Sequence, residues 1–164
     1  MAIVLVRIDD RLVHGQIVQG WLKNIAVDKI AVASDFVAND NMQKILMSLS
    51  VPNNVSLDIK TVEEITQSII NGEYEKLRTM IIAAKPEEIL YMVDKGANFK
   101  QVNVGGMHYA QDKKQVLKNV FVDDKDIEVL KILFQKGIEL EGRILPLDER
   151  INVMEAIGKS FYKK

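Results

Sequence analysis

Residues 3–17 read IVLVRIDDRLVHGQI, and this stretch decides how the chain is expected to fold. An apolar run ends in two acids and two arginines, and His14, one of only two histidines in the chain, follows. A run of this kind predicts a β-strand that is covered on both faces, and the residues after Gly15 repeat at helical spacing. The stretch therefore predicts a strand, a charged loop and a helix.

The rest of the chain repeats this alternation. Short segments rich in Val and Ile predict strands at residues 3–8, 29–34, 55–60, 79–84, 101–105, 119–123 and 138–145. Longer segments with apolar residues at helical spacing predict helices at about 16–24, 40–49, 62–71, 86–95, 124–136 and 149–161. In the last strand apolar residues alternate with acids, which favours an edge of the sheet and is compatible with antiparallel pairing. We expect one doubly wound α/β unit on a mainly parallel sheet of six to seven strands.

Local signals mark several helix ends. Thr61 and Glu64 have the spacing of a capping box, and Pro86 precedes two glutamates where the first turn of a helix is expected. Gly96 and Gly137 stand where helices should end. The segment between the fifth and sixth predicted strands has one weak apolar period, so no helix is expected there.

The composition narrows the class of protein. The chain has 164 residues, 48% of them apolar and 27% charged, so we expect one folded domain over residues 1–164. A net charge of −1 without a basic stripe argues against nucleic acid as a partner. The lack of cysteine excludes disulfides, thiolate zinc sites and thiol catalysis. The N-terminus shows no basic leader and no apolar run long enough for a membrane, so a cytoplasmic protein is expected.

The charged loop after the first strand has the residue types that phosphoryl chemistry requires. Near neutral pH the imidazole of His14 has a lone pair and can act as nucleophile, base or ligand. Arg11 offers paired donors to a phosphate, and the helix beginning near Gln16 directs N–H groups to the same region. Gly15 removes bulk beside the histidine. Asp9 or Asp10 could hold the imidazole tautomer or lock Arg11 in place.

Other candidates lie where further strands end. Ser34 and Asp35 end the second strand at the edge of the sheet that carries His14, and they either line the site or form a turn. Gly105 and Gly106 allow a close backbone approach to a ligand, or merely a turn. The chain contains neither of the common nucleotide-binding glycine motifs, and the two histidines lack metal-ligand spacing, so no metal site is expected.

Five segments together resemble one protein family. They are RIDDRLVHGQI at 7–17, SDFVANDNMQKILM at 34–47, VNVGGMHY at 102–109, KKQV at 113–116 and GIELEGRILP at 137–146. In this order and at this length the chain resembles the IIB component of the mannose/fructose/sorbose class of bacterial sugar phosphotransferase systems. The resemblance implies a three-layer αβα sandwich whose strand order begins 3-2-4-1-5-6.

The resemblance also implies a function. It makes the chain a protein-phosphohistidine–sugar phosphotransferase in which His14 accepts a phosphoryl group, on Nδ1, from a IIA phosphocarrier protein or domain. The group then passes to a sugar carried by the membrane IIC and IID components, and Arg11 steadies it during transfer. Asp10 and Gln16 belong to the same loop. No cofactor is implied, the location is cytoplasmic and peripheral to the membrane transporter, and a homo-oligomer is left open.

Two further expectations concern partners and alternatives. Val13, Ile17 and Trp21, which lie near the histidine in sequence, could supply the apolar centre of a surface that binds IIA, although packing into the core is favoured for Trp21. A noncatalytic anion-binding or regulatory α/β module is the main alternative function. A metal-dependent hydrolase using Asp9 and Asp10 is a third.

Overall fold

The computed structural model describes residues 2–161, which form nine strands and seven helices. The strands are β1 (Ile3–Asp9), β2 (Lys29–Ala33), β3 (Ser56–Lys60), β4 (Thr79–Ala83), β5 (Gln101–Gly106), β6 (Lys114–Leu117), β7 (Val120–Val122), β8 (Glu139–Gly142) and β9 (Ile151–Asn152). The helices are α1 (π-helical over Gln16–Trp21, then α-helical over Leu22–Asn24), α2 (Asp35–Ala38), α3 (Asn41–Ser50), α4 (Val62–Ile70), α5 (Pro86–Asp94), α6 (Asp124–Gln135) and α7 (Val153–Phe161). The predicted elements are all present, and α2, β6 and β9 are additional.

Seven strands form one sheet in the order β3-β2-β4-β1-β5-β8-β9. All neighbours pair in parallel except β8 and β9, which are antiparallel. Helices α1 to α3 cover one face of the sheet and α4 to α7 cover the other. The chain is therefore a three-layer α/β sandwich on a mainly parallel sheet, as the sequence predicts.

The sixth position of the sheet differs from the prediction. The segment predicted at 119–123 forms, as β7, a separate hairpin with β6, and an isolated parallel bridge between Val120 and Met107 links it to the end of β5. A parallel neighbour of β5 needs a crossover helix, and the chain first provides one with α6. The strand after α6 is β8, which consequently takes the sixth position parallel to β5. The expectation of an edge strand at 138–145 is thus wrong, because β9 occupies the edge, but the expected antiparallel pairing is present between β8 and β9.

Helix ends follow the local signals. The side chains of Thr61 and Glu64 each accept a hydrogen bond from the other's backbone N–H at the start of α4. Pro86 occupies the first turn of α5. Gly96 and Gly137 follow α5 and α6 with φ of 118° and 86°, a left-handed backbone that glycine adopts without steric cost.

Side-chain alternation divides the sheet into an apolar face and a partly polar face. In the strands nearest to β1, Val6, Ile8, Val102 and Val104 point toward α4 to α7. The residues between them point toward α1. On that face the polar residues Arg7, Asp9, Asn103 and Glu141, each at most 2% exposed, lie beside apolar residues such as Met80 and Ile82 of β4. The sheet therefore buries a set of charges directly beneath α1.

No helix within residues 2–161 combines the length and apolar character needed to cross a lipid bilayer.

Candidate functional site

The site is built on a buried ion pair at the end of β1. Nη2 and Nε of Arg7 donate to Oδ2 of Asp9 at 2.9 and 3.2 Å, and both side chains are fully buried. Burial lowers the pKa of Arg7, and the charge and hydrogen bonds of Asp9 oppose that shift. Burial alone would raise the pKa of Asp9, but the bond from His14 and the charge of Arg7 outweigh it and hold that pKa below its ordinary value. Asp9 is therefore a carboxylate that only accepts hydrogen bonds.

Strands β5 and β8 complete the surroundings of Arg7. Nη1 of Arg7 donates to Oδ1 of Asn103 at 2.6 Å and to the carbonyl oxygen of Arg143 at 3.1 Å. The amide of Asn103 in turn donates to Oε1 of Glu141, and Arg143 forms a two-pronged pair with Glu141 at 2.8 and 2.9 Å. Among residues 2–161, every buried side-chain nitrogen and oxygen has a hydrogen-bond partner. Burying these charges is sustainable because the network is complete.

Trp21 of α1 lies against this network. The Cζ atoms of Arg7 and Arg143 lie 5.4 and 5.3 Å from the centre of its ring, and its Nε1 donates to the carbonyl oxygen of Ile144 at 2.9 Å. Trp21 therefore joins α1 to the segment that follows β8. Gly20 allows α1 to approach the same segment closely, because a Cβ there would lie 2.6 Å from Cδ2 of Leu145.

Gly105 and Gly106 make room for the ion pair. A Cβ at Gly105 would lie 1.9 Å from Cζ of Arg7, and one at Gly106 would lie 2.9 Å from Oδ1 of Asp9. The close approach predicted for these glycines is real, but the groups that approach are the protein's own buried side chains.

Asp9 orients the imidazole ring of His14. Its Nε2 lies 2.7 Å from Oδ2 of Asp9, and its side chain is 14% exposed. Because a carboxylate cannot donate, Nε2 must carry the hydrogen of this bond. Nδ1 of a neutral ring then has the lone pair, and the backbone N–H of Gln16 donates to it at 3.4 Å. Of the two acids left open by the sequence, Asp9 is the one that sets the tautomer.

The loop reaches this position through an uncommon backbone conformation. Leu12 is buried and has a φ of 58°, in the left-handed region that residues other than glycine rarely adopt. Its N–H donates to the carbonyl oxygen of Asp9 at 2.9 Å, which closes a tight turn. Such strained residues cluster at functional sites, where the surrounding structure compensates their cost. Here the turn directs His14 back over the end of β1.

Arg11 and His14 share one open cleft. Seven residues line this cleft of about 520 Å³: Arg11, His14, Gly15, Gln16, Gln19, Gly20 and Leu145. Nη2 of Arg11 donates to Oε1 of Gln16 at 2.6 Å, and its backbone N–H donates to Oδ1 of Asp9 at 3.1 Å. A Cβ at Gly15 would meet no atom within 4 Å, so space beside the histidine is open. The structure thus brings four of the predicted residues together.

Asp10 has a different role. Its Oδ2 accepts the backbone N–H of His108 at 2.7 Å, and its Oδ1 lies 2.5 Å from Nδ1 of His108. Asp10 therefore ties the loop after β5 to the loop that carries His14. The oxygens of Asp9 and Asp10 point to different partners, so the two acids do not form a joint metal site. Within residues 2–161, no group of three or more histidine and acidic side chains could hold a metal ion.

Ser34 and Asp35 are placed away from this cleft. Oγ of Ser34 caps α2 by accepting the N–H of Val37, and Oδ1 of Asp35 accepts the N–H of Val62. Both residues line a separate cavity of about 770 Å³, whose wall includes none of the residues of the histidine cleft.

The prediction that three apolar residues near His14 form the centre of a docking surface is wrong. Val13, Ile17 and Trp21 are at most 7% exposed and belong to the core beneath α1. They hold α1 in place and present no surface to a partner.

Sequence reasoning missed Asn103, Glu141 and Arg143 as supports of the site. A usable signal was present, since Asn103 and Glu141 interrupt predicted strands at every second position, as Arg7 and Asp9 do. Polar residues at that period in central strands indicate a buried network on one face.

Comparisons with known proteins agree with this architecture. The family model "PTS system sorbose subfamily IIB component" matches residues 3–164. The fructose-specific EIIB component of Bacillus subtilis strain 168 is 39% identical over 148 residues, which are 90% of this chain and 91% of that protein. The mannose-specific EIIAB component of Escherichia coli strain K12 is 40% identical over 97% of this chain, and the chain spans 49% of that protein's length.

A solved structure has the same fold over the same length. The IIBSor domain of the sorbose permease from Klebsiella pneumoniae superimposes with a TM-score of 0.92 at 29% identity, covering 99% of this chain and 100% of that chain. These matches confirm the resemblance predicted from the motifs. The chain belongs to the sorbose subfamily of IIB components of the PTS, the sugar phosphotransferase system.

Proposed function

We propose that the chain, as one IIB domain over residues 1–164, is a phosphocarrier that accepts a phosphoryl group on Nδ1 of His14. The donor would be a phosphohistidine on a IIA protein or domain, and the acceptor a sugar carried by membrane IIC and IID components. One observation carries the proposal: the buried Asp9 carboxylate engages Nε2, so the lone pair is on Nδ1, where only a long 3.4 Å bond from the backbone N–H of Gln16 meets it in the cleft beside Arg11.

The chemistry is an in-line displacement. The Nδ1 lone pair attacks phosphorus, a new N–P bond forms, and the bond between phosphorus and the donor's histidine breaks as its electron pair returns to that ring. Such transfers depend mainly on positioning and on neutralising the charge of the equatorial oxygens. Arg11, held by Gln16, is the charged group suited to this task, and the N–H of Gln16 is a second donor. The imidazole that bears the group stays bonded to Asp9, which stabilises its positive charge.

A carrier must also protect its phosphoryl group from water. A free carboxylate beside Nδ1 could activate water, but the oxygens of Asp9 accept from Arg7, His14 and the backbone of Arg11. Arg11 is the one arginine that lines the cleft, and residues 2–161 contain no group of metal ligands. A moderate grip of this kind suits a protein that must release the group again.

The partners follow from the family. The name of the Escherichia coli relative, a mannose-specific EIIAB component, joins IIA and IIB in one protein, which supports IIA as the donor for this chain. The names of the three relatives differ in their sugar, so the proposal covers sugars as a class. Delivery to IIC and IID would place the chain at the cytoplasmic surface of the membrane.

Intact-protein mass spectrometry tests the proposal. The chain is incubated with phosphoenolpyruvate, the general phosphotransferase proteins and IIA, and we expect a gain of one phosphoryl group that acid removes. His14→Ala should gain none, while His108→Ala, the matched control at the other histidine, should be phosphorylated like the native chain. An unchanged native mass while IIA is charged would contradict the proposal and favour a noncatalytic anion-binding or regulatory module.

A further inference from the structure

Helix α3 carries its apolar residues on the outside. Met42, Ile45, Leu46 and Leu49 are 64%, 54%, 53% and 78% exposed, and we call these four residues the α3 stripe. None of the residues of α3 is buried. The apolar face of a surface helix normally turns toward the core, but in α3 only Met47 packs there and the four residues of the stripe turn toward solvent.

The stripe has the character of a covered surface. It contains no charge, and Lys44, the one charged residue of α3, lies half-buried outside the stripe. The neighbouring helix α2 adds Phe36, which is 75% exposed. A helix of ten residues gains most of its stability from packing of its apolar residues, and here four of the five large ones keep more than half of their surface exposed. An apolar patch of this kind marks an interaction site.

We propose that the α3 stripe is a two-fold interface through which two copies of this chain associate, with their α3 helices antiparallel. A two-fold interface must be complementary to itself, so that residue i contacts j and j contacts i. The stripe satisfies this condition about a midpoint between Ile45 and Leu46. Met42 then faces Leu49 of the second copy, and Ile45 faces Leu46 of the second copy.

The lack of charge favours a second copy over a transient partner. Transient interfaces are about as apolar as the rest of a protein surface, whereas the interfaces of stable homodimers are more apolar. The surface around the histidine cleft has the polar character of a transient interface, because Arg11, Asp10 and His108 are exposed or half-exposed there. The α3 stripe has the apolar character of a stable homodimer interface. In the antiparallel arrangement Lys44 falls opposite Met47, so no two like charges face each other.

The available area agrees with a dimer. At roughly 100 Å² of exposed surface for each large side chain, the stripe and Phe36 supply roughly 500 Å² of apolar area. A standard interface buries about 800 Å² on each partner, and the exposed polar residues around the stripe would form the remaining rim. The α3 helix leads into β3, which lies three strands from β1, or roughly 14 Å. Association through α3 therefore leaves the histidine cleft open to a phosphoryl donor.

Sedimentation equilibrium tests the interface directly. At tens of micromolar we expect a mass of twice 18.6 kDa for the native chain. The double variant Ile45→Glu/Leu49→Glu should raise the dissociation constant by at least about 100-fold, because it buries unpaired carboxylates against the apolar side chains of Leu46 and Met42 of the second copy. Phe134→Glu is the matched control, since Phe134 is an apolar residue 51% exposed on α6, and it should remain a dimer.

Cross-linking locates the contact. The chain has no cysteine, so an introduced thiol is unique. Leu46→Cys lies beside the proposed two-fold axis and should be linked to a second copy by a short bis-maleimide. Glu128→Cys, an exposed position on α6, should give no linked dimer under the same conditions.

Three outcomes would overturn the proposal. One is a native chain that stays monomeric at 100 micromolar or above. Another is a dimer whose mass and cross-linking are unaffected by Ile45→Glu/Leu49→Glu. The third is a monomer in which that variant loses only sugar phosphorylation with the membrane components present, which would assign the stripe to a membrane partner. Phosphorylation of His14 is a separate measurement, so neither result depends on the other.

Discussion

The base of the histidine cleft and the α3 stripe depart from ordinary protein surfaces in opposite directions. Beneath His14 the sheet buries charged side chains, with Arg7 and Asp9 fully removed from solvent. On α3 the chain exposes large apolar side chains. Burying a charge is costly unless all its hydrogen bonds are made, and exposing an apolar patch is unfavourable unless a partner covers it.

The two departures serve different ends. The buried network fixes one imidazole in one tautomer, because every group beneath it is already bonded. The α3 stripe fixes nothing inside the chain. Charge in the interior therefore indicates that a side chain must be positioned, and apolar surface indicates that a second molecule is expected. Four predictions test this difference, beginning with the largest expected effect.

Gly105→Ala should disrupt the network, whereas Gly15→Ala should be tolerated. The new Cβ at Gly105 would displace the Arg7 guanidinium from its four hydrogen bonds, which leaves buried charges unpaired. We expect the free energy of unfolding to fall by about 3–5 kcal/mol, measured by urea denaturation. Gly15→Ala, whose Cβ meets no protein atom, should stay within about 0.5 kcal/mol of the native chain. Equal stabilities for the two variants would contradict the assigned role of Gly105.

Arg11→Lys should slow phosphoryl transfer without changing stability. The substitution keeps the charge but loses the planar pair of donors, and we expect the rate of transfer from phospho-IIA to fall by about 10–100-fold in rapid-quench experiments. Arg150→Lys is the control, because Arg150 is half-exposed and its nearest acidic partner is Glu139, away from the cleft. A normal rate in Arg11→Lys would argue against a guanidinium clamp on the phosphoryl group.

Acid should weaken the native chain through Asp9. Because the folded-state pKa of Asp9 lies below its ordinary value of 3.8, the stability from this group is fully present above about pH 4. That stability is lost as the pH falls through the folded-state pKa. Urea denaturation between pH 7 and pH 3 should therefore show a steeper decline for the native chain than for Asp9→Asn.

A second carboxylate acts in the same direction and needs its own control. Hydrogen bonds from Arg78 lower the pKa of the exposed Asp28 to about 2. Asp28→Asn removes that contribution, while Glu64, Glu87 and Asp123, whose pKa values are also lowered by hydrogen bonds, contribute equally to the native chain and to Asp9→Asn, so the difference between those two is due to Asp9. A native chain as stable at pH 3 as at pH 7 would contradict the role of both carboxylates.

Substitution within the α3 stripe should have the smallest effect on the folded monomer. Leu49→Ser removes a side chain that is 78% exposed, so the free energy of unfolding should change by no more than about 0.5 kcal/mol. The measurement is made at a protein concentration at which the chain is monomeric. Ile17→Ala, a buried position in α1, should cost about 2–5 kcal/mol for comparison. A large loss in Leu49→Ser would mean that the stripe packs within its own chain.

Most of the fold could be predicted from the sequence because local patterns and chain connectivity both determine it. Helices α4 and α5 begin and end within a residue of the prediction, since capping residues and glycines act locally. The position of β8 could not be read from local pattern. Residues 119–123 and 138–145 are both predicted as strands, and which of them pairs along β5 depends on the crossover through α6.

The candidate site was predictable at its surface but not at its base. His14, Arg11 and Gln16 lie within six residues, so sequence proximity brings them together. Whether Asp9 or Asp10 engages the imidazole depends on strand alternation, which turns neighbouring side chains to opposite directions. The burial of Trp21 depends on how α1 packs on the sheet, and its partner, the carbonyl of Ile144, is distant in sequence.

The carbonyl of Arg143 and the carboxylate of Glu141 complete the network around Arg7, although His14 lies at the opposite end of the chain. During synthesis the first strand leaves the ribosome long before those groups exist. A nascent chain that ends before β8 would leave Arg7 without the carbonyl of Arg143, Asn103 without the carboxylate of Glu141, and Trp21 without the carbonyl of Ile144. The chain should therefore become competent for phosphoryl transfer only after nearly all of it has been translated. A truncation after α6 should prevent phosphorylation of His14, which lies more than a hundred residues away in sequence.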